Sequence, residues 1–120
     1  MMRAGGDRRL KSRAGGGTYK AQERQTMAKI SIVIPVYNEQ ETLEPLAEAI
    51  IAQMDGRQHR IVFVNDGSTD ESWARILRLR EKHANIDAIR LRRNFGKTIA
   101  LTVGFANAQG GIIVTMDADL

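Results

Sequence analysis

Runs of β-branched apolar residues alternate with stretches of helical apolar spacing from residue 29 onward, and this alternation limits the possible folds most. The apolar runs lie at residues 30–36, 60–65, 86–91 and 112–116. Short continuous apolar runs are typical of buried strands, and the stretches between them fit amphipathic helices. Strands that alternate with helices form parallel sheets. We therefore predict an α/β fold, a Rossmann-like parallel sheet with helices on both faces.

Local signals indicate where the helices begin and how the strands are placed. The first helix should begin between residues 41 and 45, because the proline there is tolerated only in a first helical turn. Ser68 and Glu71 have the spacing of a capping box before the second helix. The third helix, residues 98–109, is apolar almost all round and should be largely buried. Polar and apolar residues alternate in residues 86–91, which suits an edge strand.

The positive charge of the chain is concentrated near its start. The formal net charge is +4, but residues 1–29 hold eight Lys or Arg and two acids, whereas the remainder holds ten bases and twelve acids. Residues 1–28 are also poor in bulky apolar residues and rich in Gly and Arg. Such a tail can attract anionic lipid or nucleic acid. The simpler interpretation is a disordered basic leader at 1–28 before a folded domain at 29–120, and we predict no nucleic-acid partner.

Polar residues gather directly after each predicted strand. They lie at residues 37–39, 66–70, 92–97 and 117–119. In open parallel α/β sheets, ligands bind at the carboxyl ends of the strands. Four polar clusters on one rim of the sheet therefore predict a binding site there.

Asp117 and Asp119 are the strongest candidates for chemistry. Residues two apart on an extended chain point to the same side, so both carboxylates can face one crevice. Neighbouring carboxylates repel unless a cation neutralises them or one is protonated. Mg²⁺ and Mn²⁺ prefer oxygen ligands and often keep substrate phosphates in their shell, so we predict a metal diphosphate here. A pair of solvated aspartates at a strand end is the alternative.

The other clusters offer groups for the rest of a nucleotide. Tyr37 can stack on a nucleobase and Glu39 can accept a hydrogen bond from it, although a first-turn acid also favours a helix start. Asp66 can accept from a base or ribose, although Asp-Gly also favours turns. Lys97, beside Gly96 at a helix start, favours a phosphate, and a solvated basic loop is the alternative.

Four segments carry these candidates in order along the chain. They are Ile32-Val33-Ile34-Pro35-Val36-Tyr37-Asn38-Glu39, Val64-Asn65-Asp66-Gly67-Ser68-Thr69-Asp70, Arg93-Asn94-Phe95-Gly96-Lys97 and Met116-Asp117-Ala118-Asp119-Leu120. Together they resemble the inverting family 2 glycosyltransferases of GT-A fold. The last two segments are most similar to the polyprenyl-phosphate branch, which includes dolichol-phosphate mannose synthase and bacterial bactoprenol glucosyltransferases. The resemblance covers residues 29–120 and implies the N-terminal, nucleotide-binding half of a GT-A fold.

The resemblance implies roles on the nucleoside side of the site. Pro35, Tyr37 and Glu39 would line the nucleoside pocket, and Asp66 would hold the base. Asn65 stands where many members have a second aspartate, a common replacement that should affect nucleoside binding only slightly.

On the phosphate side, Lys97 would lie in the donor site, Asp119 would ligate Mg²⁺ or Mn²⁺, and Asp117 would contact the donor ribose or metal-bound groups. The implied reaction transfers a sugar, with inversion, from a UDP- or GDP-sugar to a polyprenyl phosphate. The metal would stabilise the departing nucleoside diphosphate. The acceptor site and any transmembrane helices would lie beyond Leu120, so we expect the 120-residue chain to have little or no turnover.

The same resemblance implies that the parent enzyme works at the cytoplasmic side of the cell membrane, in cell-envelope glycan synthesis. The chain has no cysteine, which excludes disulfides and thiolate metal sites. It has no apolar stretch of about 20 residues, the length that spans a bilayer, so we expect this piece to be soluble and cytoplasmic. The sequence does not indicate an oligomeric state.

Two other functions also fit an Asp-x-Asp motif after a strand. A haloacid-dehalogenase-type phosphatase uses such a motif with Mg²⁺, but there it normally opens the chain and continues with a small residue and Thr. Here it closes the fourth predicted strand and is followed by Leu120. The second alternative is a catalytically inert nucleotide-binding module. Phosphatase activity that is lost on replacing Asp117 would favour the first.

Overall fold

The computed structural model describes residues 2–4, 30–108 and 111–119. Within these residues the strands are β1 (Met2–Ala4), β2 (Ile30–Val36), β3 (His59–Asn65), β4 (Ile86–Arg90) and β5 (Ile112–Thr115). The helices are α1 (Leu43–Met54), α2 (Ser72–Lys82) and α3 (Lys97–Asn107). From residue 30 onward, strands and helices alternate as the sequence predicts.

The strands form one sheet in the order β1-β4-β3-β2-β5. β2 pairs in parallel with β3 and β5, and β3 pairs in parallel with β4. This four-stranded parallel sheet confirms the predicted Rossmann-like fold. The chain adds β3 and β4 on one side of β2 and then returns to place β5 on the other side. The strand order therefore reverses between β2 and β5, the kind of position where open α/β sheets bind ligands.

Side chains that alternate along each strand pack under helices on both faces of the sheet. Ile34 and Phe63 lie in the larger apolar cluster, which also contains the buried apolar residues of α1 and α2. Val33 and Val64 lie in the smaller cluster, which includes Ala100 of α3. The prediction that helices cover both faces is therefore confirmed.

Helix α3 is much more exposed than its apolar composition predicts. Its buried residues are Ala100 and Gly104, whereas Ile99 and Phe105 are 46% and 44% exposed. Gly104 allows a close approach to the sheet, because a Cβ built there would lie 2.3 Å from Cγ1 of Val33. The prediction of a largely buried helix is wrong because, in the part of the chain that is described, only this face of the helix meets the sheet.

β4 is the last parallel strand, but it is not the edge of the sheet. β1 pairs with it in antiparallel orientation. Its polar residue Asp87 is 3% exposed and forms a 2.9 Å ion pair with Arg60 of β3, so the alternation on this strand does not mark a solvent-facing side. β1 (Met2–Ala4) lies within the predicted leader, and the disorder of that leader stays a prediction. The rest of that leader, residue 1 and residues 5–28, lies outside the described residues.

Candidate functional site

The carboxyl ends of the parallel strands open into a cleft of about 390 Å³. It lies where the strand order reverses, beside the ends of β2 and β5. The predicted site residues that line it are Pro35, Tyr37, Glu39, Asp66, Lys97, Asp117 and Asp119, and the other lining residues are Val36, Asn94, Gly96 and Ala118. The structure thus brings every predicted site residue into one cleft, while the role of each stays a prediction.

Asn38 ties the loop after β2 to the loop after β3. Its φ of 53° lies in the left-handed region, which asparagine adopts more readily than most residues. Its backbone N–H donates to Oγ of Ser68 at 3.0 Å, and its Oδ1 accepts from the N–H of Thr69 at 2.8 Å. These bonds hold the backbone that carries Tyr37 and Glu39. Tyr37 is 47% exposed, so its ring presents a free aromatic surface beside the cleft.

The turn after β3 begins α2 in a different way from the predicted capping box. The helix begins at Ser72, whose N–H donates to Oδ1 of Asp70 at 2.9 Å. The prediction is wrong because Ser68 accepts its hydrogen bond from the β2 loop. The hydroxyl of Ser72 also accepts from the N–H of Glu39 at 2.9 Å, which links the helix start to the cleft. Desolvation raises the pKa of Asp70, but hydrogen bonds with the Ser72 side chain and backbone outweigh it and leave the pKa below the ordinary 3.8.

Asp66 is buried and holds the loop that leads into α3. Its carboxylate accepts hydrogen bonds from the N–H of Phe95 at 2.8 Å, the N–H of Gly96 at 3.1 Å and the side-chain amide of Asn94 at 3.2 Å. A carboxylate offers about four acceptor positions, so these contacts leave about one for a ligand such as a base. Asp66 therefore stabilises the loop before α3, in addition to the predicted contact with the nucleoside.

Lys97, the first residue of α3, reaches Asp117 across the cleft. Its Nζ donates a hydrogen bond to Oδ1 of Asp117. That hydrogen bond and the charge of Asp117, with a smaller contribution from the charge of Asp119, raise the pKa of Lys97 above its ordinary 10.5. The two paired side chains are 61% and 59% exposed, and exposed ion pairs are weak. A ligand with its own charges can therefore separate them.

The segment after β5 presents two carboxylates to the cleft. Asp117 and Asp119 are exposed, whereas Ala118 between them is 4% exposed and lies in the core under α1 and α2. This alternation leaves both acids on the solvent side, as the spacing predicts. Among the described residues, no group of three or more His, Cys, Asp or Glu could hold a metal ion. Two carboxylates fit Mg²⁺ or Mn²⁺ when substrate phosphates and water complete the shell, so a metal diphosphate fits better than a bare ion.

Sequence reasoning assigned no role to Asn38, Ser72 or Asn94, which hold the loops of the cleft. Asn38 could have been suspected, because asparagine after a strand is a frequent left-handed turn residue. Ser72 and Asn94 bond to partners 33 and 28 residues away, and no local pattern specifies such pairs.

The parallel sheet, the reversal of strand order and the acidic motif at that reversal define the nucleotide-binding part of a GT-A glycosyltransferase fold. The family description "Glycosyl transferase family 2" matches residues 31–120, and the chain belongs to this family. Membership in this family argues against the phosphatase alternative.

By their names, the curated relatives are sugar transferases that act on undecaprenyl phosphate. The chain is 43% identical over 100 residues to the undecaprenyl-phosphate 4-deoxy-4-formamido-L-arabinose transferase of Edwardsiella ictaluri (strain 93-146), covering 80% of this chain and 30% of that protein. The transferase of the same name from Sodalis glossinidius (strain morsitans) is 44% identical over 96 residues, covering 77% and 29%. The chain therefore spans less than a third of the length of these relatives.

Solved structures share the fold. S. aureus TarS 1-349 in complex with UDP superposes with a TM-score of 0.68 at 26% identity, covering 76% of this chain and 27% of that one. The mannosyltransferase PcManGT from Pyrobaculum calidifontis, in complex with GDP-Man and Mn²⁺, gives a TM-score of 0.70 at 21% identity, covering 93% and 36%. The second likeness concerns the fold alone.

Proposed function

We propose that this chain forms the donor-binding part of an inverting glycosyltransferase that moves a sugar from a UDP- or GDP-sugar to a polyprenyl phosphate. The observation that carries the proposal is the cleft itself. An exposed aromatic ring, a lysine and a pair of exposed carboxylates converge there, at the reversal of strand order. The aromatic ring suits the base of a nucleotide-sugar, the lysine suits its diphosphate, and the carboxylates suit a divalent metal bound to that diphosphate.

The nucleoside would lie beside Tyr37, with Pro35, Glu39 and Asp66 around it. Tyr37 supplies an exposed ring for stacking. Glu39 and Asp66 supply carboxylates that accept from base or ribose donors, and Asp66 is held in place by the loop before α3. TarS 1-349, which shares the fold at 26% identity, is solved in complex with UDP, and this supports a nucleotide as the ligand.

The diphosphate would lie between Lys97 and the two aspartates. Lys97 is positively charged at neutral pH, and its Asp117 partner can be displaced from it because both side chains are largely exposed. We propose that Asp119 and Asp117 hold Mg²⁺ or Mn²⁺ together with donor phosphates. The bound ion would supply charge stabilisation for the departing nucleoside diphosphate. Lys97 would then orient a phosphate by its fixed position at the start of α3.

The acceptor is proposed from the named activity of the relatives. They are 43% and 44% identical to this chain and are named as transferases that act on undecaprenyl phosphate. An acceptor phosphate is already anionic, so its attack on the sugar needs little help from a general base. Because such an acceptor is held in a membrane, we also propose that the whole protein works at the cytoplasmic face of a membrane. Within the described residues, no helix has both the length and the apolar character needed to cross one.

Thermal unfolding with added nucleotide tests the proposal directly. UDP and GDP are each added with and without Mn²⁺. A ligand at ten times its Kd stabilises the folded state by about 1.4 kcal/mol, which is about 5 °C for a domain of this size. We expect selective stabilisation by one nucleotide, strengthened by Mn²⁺.

Two variants locate the effect at the acidic motif. Asp117→Asn and Asp119→Asn should each abolish the part of the stabilisation that depends on Mn²⁺. Asp55→Asn is the matched control, because Asp55 is equally an exposed aspartate but lies between α1 and the start of β3 and does not line the cleft. Equal stabilisation by both nucleotides that is independent of Mn²⁺ and of both motif variants would refute the proposed site.

A further inference from the structure

Thr42 uses its side chain in an unusual way for its position. It is the N-cap residue of α1, where threonine normally accepts a hydrogen bond from the first helical turn, but it makes no such bond. Its Oγ1 instead donates to the carbonyl oxygen of Ala118 at 2.7 Å, across 76 residues of sequence. A second acceptor, the carbonyl oxygen of Glu39, lies at 3.2 Å. Because one hydroxyl has one hydrogen, the shorter contact to Ala118 is the better placed of the two.

The Ala118 carbonyl belongs to a segment that the sheet no longer holds. The ladder between β2 and β5 ends at Thr115, and Met116 adds one backbone bond to Val33 at 3.1 Å. Beyond Met116, the buried methyl of Ala118 and the bond from Thr42 anchor the backbone. The hydroxyl of Thr42 thus binds the carbonyl of Ala118, the residue between the two acidic residues of the motif.

We infer that Thr42 is a positioning residue that fixes the carboxylates of Asp117 and Asp119 through the carbonyl of Ala118. The inference rests on the proposed function, because it concerns the same donor site. Neighbouring carboxylates repel, and the exposed ion pair between Lys97 and Asp117 offsets this repulsion only weakly. Rotation of the Ala118 peptide would let the two acids separate, and the bond from Thr42 opposes that rotation. The segment is therefore held ready for a divalent ion before the ion arrives.

Three variants separate the effect of the Thr42 hydroxyl from the effect of the rest of its side chain. Thr42→Val removes the hydroxyl and keeps the shape, whereas Thr42→Ser keeps the hydroxyl. Thr102→Val is the matched control, because the hydroxyl of Thr102 donates at 2.8 Å to the carbonyl of Thr98 within α3, and Thr102 does not line the cleft. All variants are made in the full chain and compared with the unaltered chain.

The first readout is the affinity for UDP and GDP, each with and without Mn²⁺. Loss of one neutral hydrogen bond corresponds to a factor of about 2 to 12 in an equilibrium constant. We expect Thr42→Val to weaken the Mn²⁺-dependent binding by about fivefold to tenfold and to leave metal-free binding within about twofold. Thr42→Ser and Thr102→Val should leave the affinity unchanged both with and without Mn²⁺. Equal weakening with and without Mn²⁺ would indicate a general structural role and would overturn the inference.

The second readout does not depend on nucleotide binding. In metal-free NMR spectra, Thr42→Val should shift and broaden the backbone amides of residues 117–119, and Thr102→Val should leave them unchanged. Unaltered amides in Thr42→Val would overturn the positioning role even if nucleotides bind. If the unaltered chain binds neither nucleotide, the proposed function fails, and the amide spectra still decide whether Thr42 holds the acidic segment.

Discussion

Replacing Asp66 by asparagine removes the charge that holds the loop before α3. In the native chain the carboxylate accepts two backbone N–H bonds, from Phe95 and Gly96, and one bond from the side chain of Asn94. An asparagine keeps one acceptor oxygen, which can retain the shortest bond, the one to Phe95. Its NH₂ group then faces two donors. Asn94 cannot simply flip its amide, because its NH₂ group also donates to the backbone oxygen of Asp66 at 3.1 Å.

The size of the effect follows from these lost contacts. Asp66→Asn loses two hydrogen bonds to a charged acceptor, each worth about 1.5 kcal/mol, so the free energy of unfolding should fall by about 3 kcal/mol. With an m value of about 2 kcal/mol/M, the urea midpoint should fall by about 1.5 M. Hydrogen exchange at the amides of Phe95 and Gly96 should accelerate in the folded state, because they lose or weaken their acceptor. Asp55→Asn, at an exposed turn, should change stability by less than about 0.5 kcal/mol.

Urea unfolding and amide exchange together can refute this reasoning. A loss below about 1 kcal/mol with unchanged exchange at both amides would show that the charge of Asp66 does not hold the loop. Faster exchange across the whole sheet, and not only at these two amides, would show that Asp66 stabilises the whole domain and not this loop in particular.

Two further predictions concern other parts of the chain. Gly104→Ala should lower the free energy of unfolding by about 1–3 kcal/mol, because the new methyl would overlap Val33 under α3. Thermal unfolding measures this loss of stability, and an unchanged melting temperature would contradict the close packing. Asp70→Asn should lower stability more at pH 6 than at pH 3. The pKa of Asp70 is below 3.8 in the folded state, so the carboxylate stabilises the fold above that value and the contribution is lost as pH falls through the folded pKa; a loss that does not vary with pH would refute it.

The sequence predicts the sheet and the place of the site because both depend on local periodicity. The β-branched runs at Ile30–Val36 and Ile112–Thr115 are strands in the structure, and the polar residues after them line the cleft. The side-chain alternation around Ala118 follows from extended geometry alone, so the common orientation of the two acids could also be predicted.

The errors arose where a residue has a partner that is distant in sequence. Ser68 has capping-box spacing, but its oxygen accepts from Asn38 in another loop. Helix α3 is apolar almost all round, but its composition does not show how many elements surround it, and Phe105 is 44% exposed among the described residues. In both cases tertiary contacts, which a local pattern does not contain, decide the outcome.

The cleft is held by bonds between loops, and these explain why its residues can act together. The loop after β2 is bonded to the turn after β3 through Asn38, and that turn is bonded to the loop before α3 through Asp66. Lys97 joins that loop to the segment after β5, and Thr42 joins the same segment back to α1. A site fixed in advance in this way does not need to order several loops when the ligand binds, which lowers the entropy cost of binding. The Lys97 link is an exposed ion pair, so a charged ligand can enter by replacing that pair.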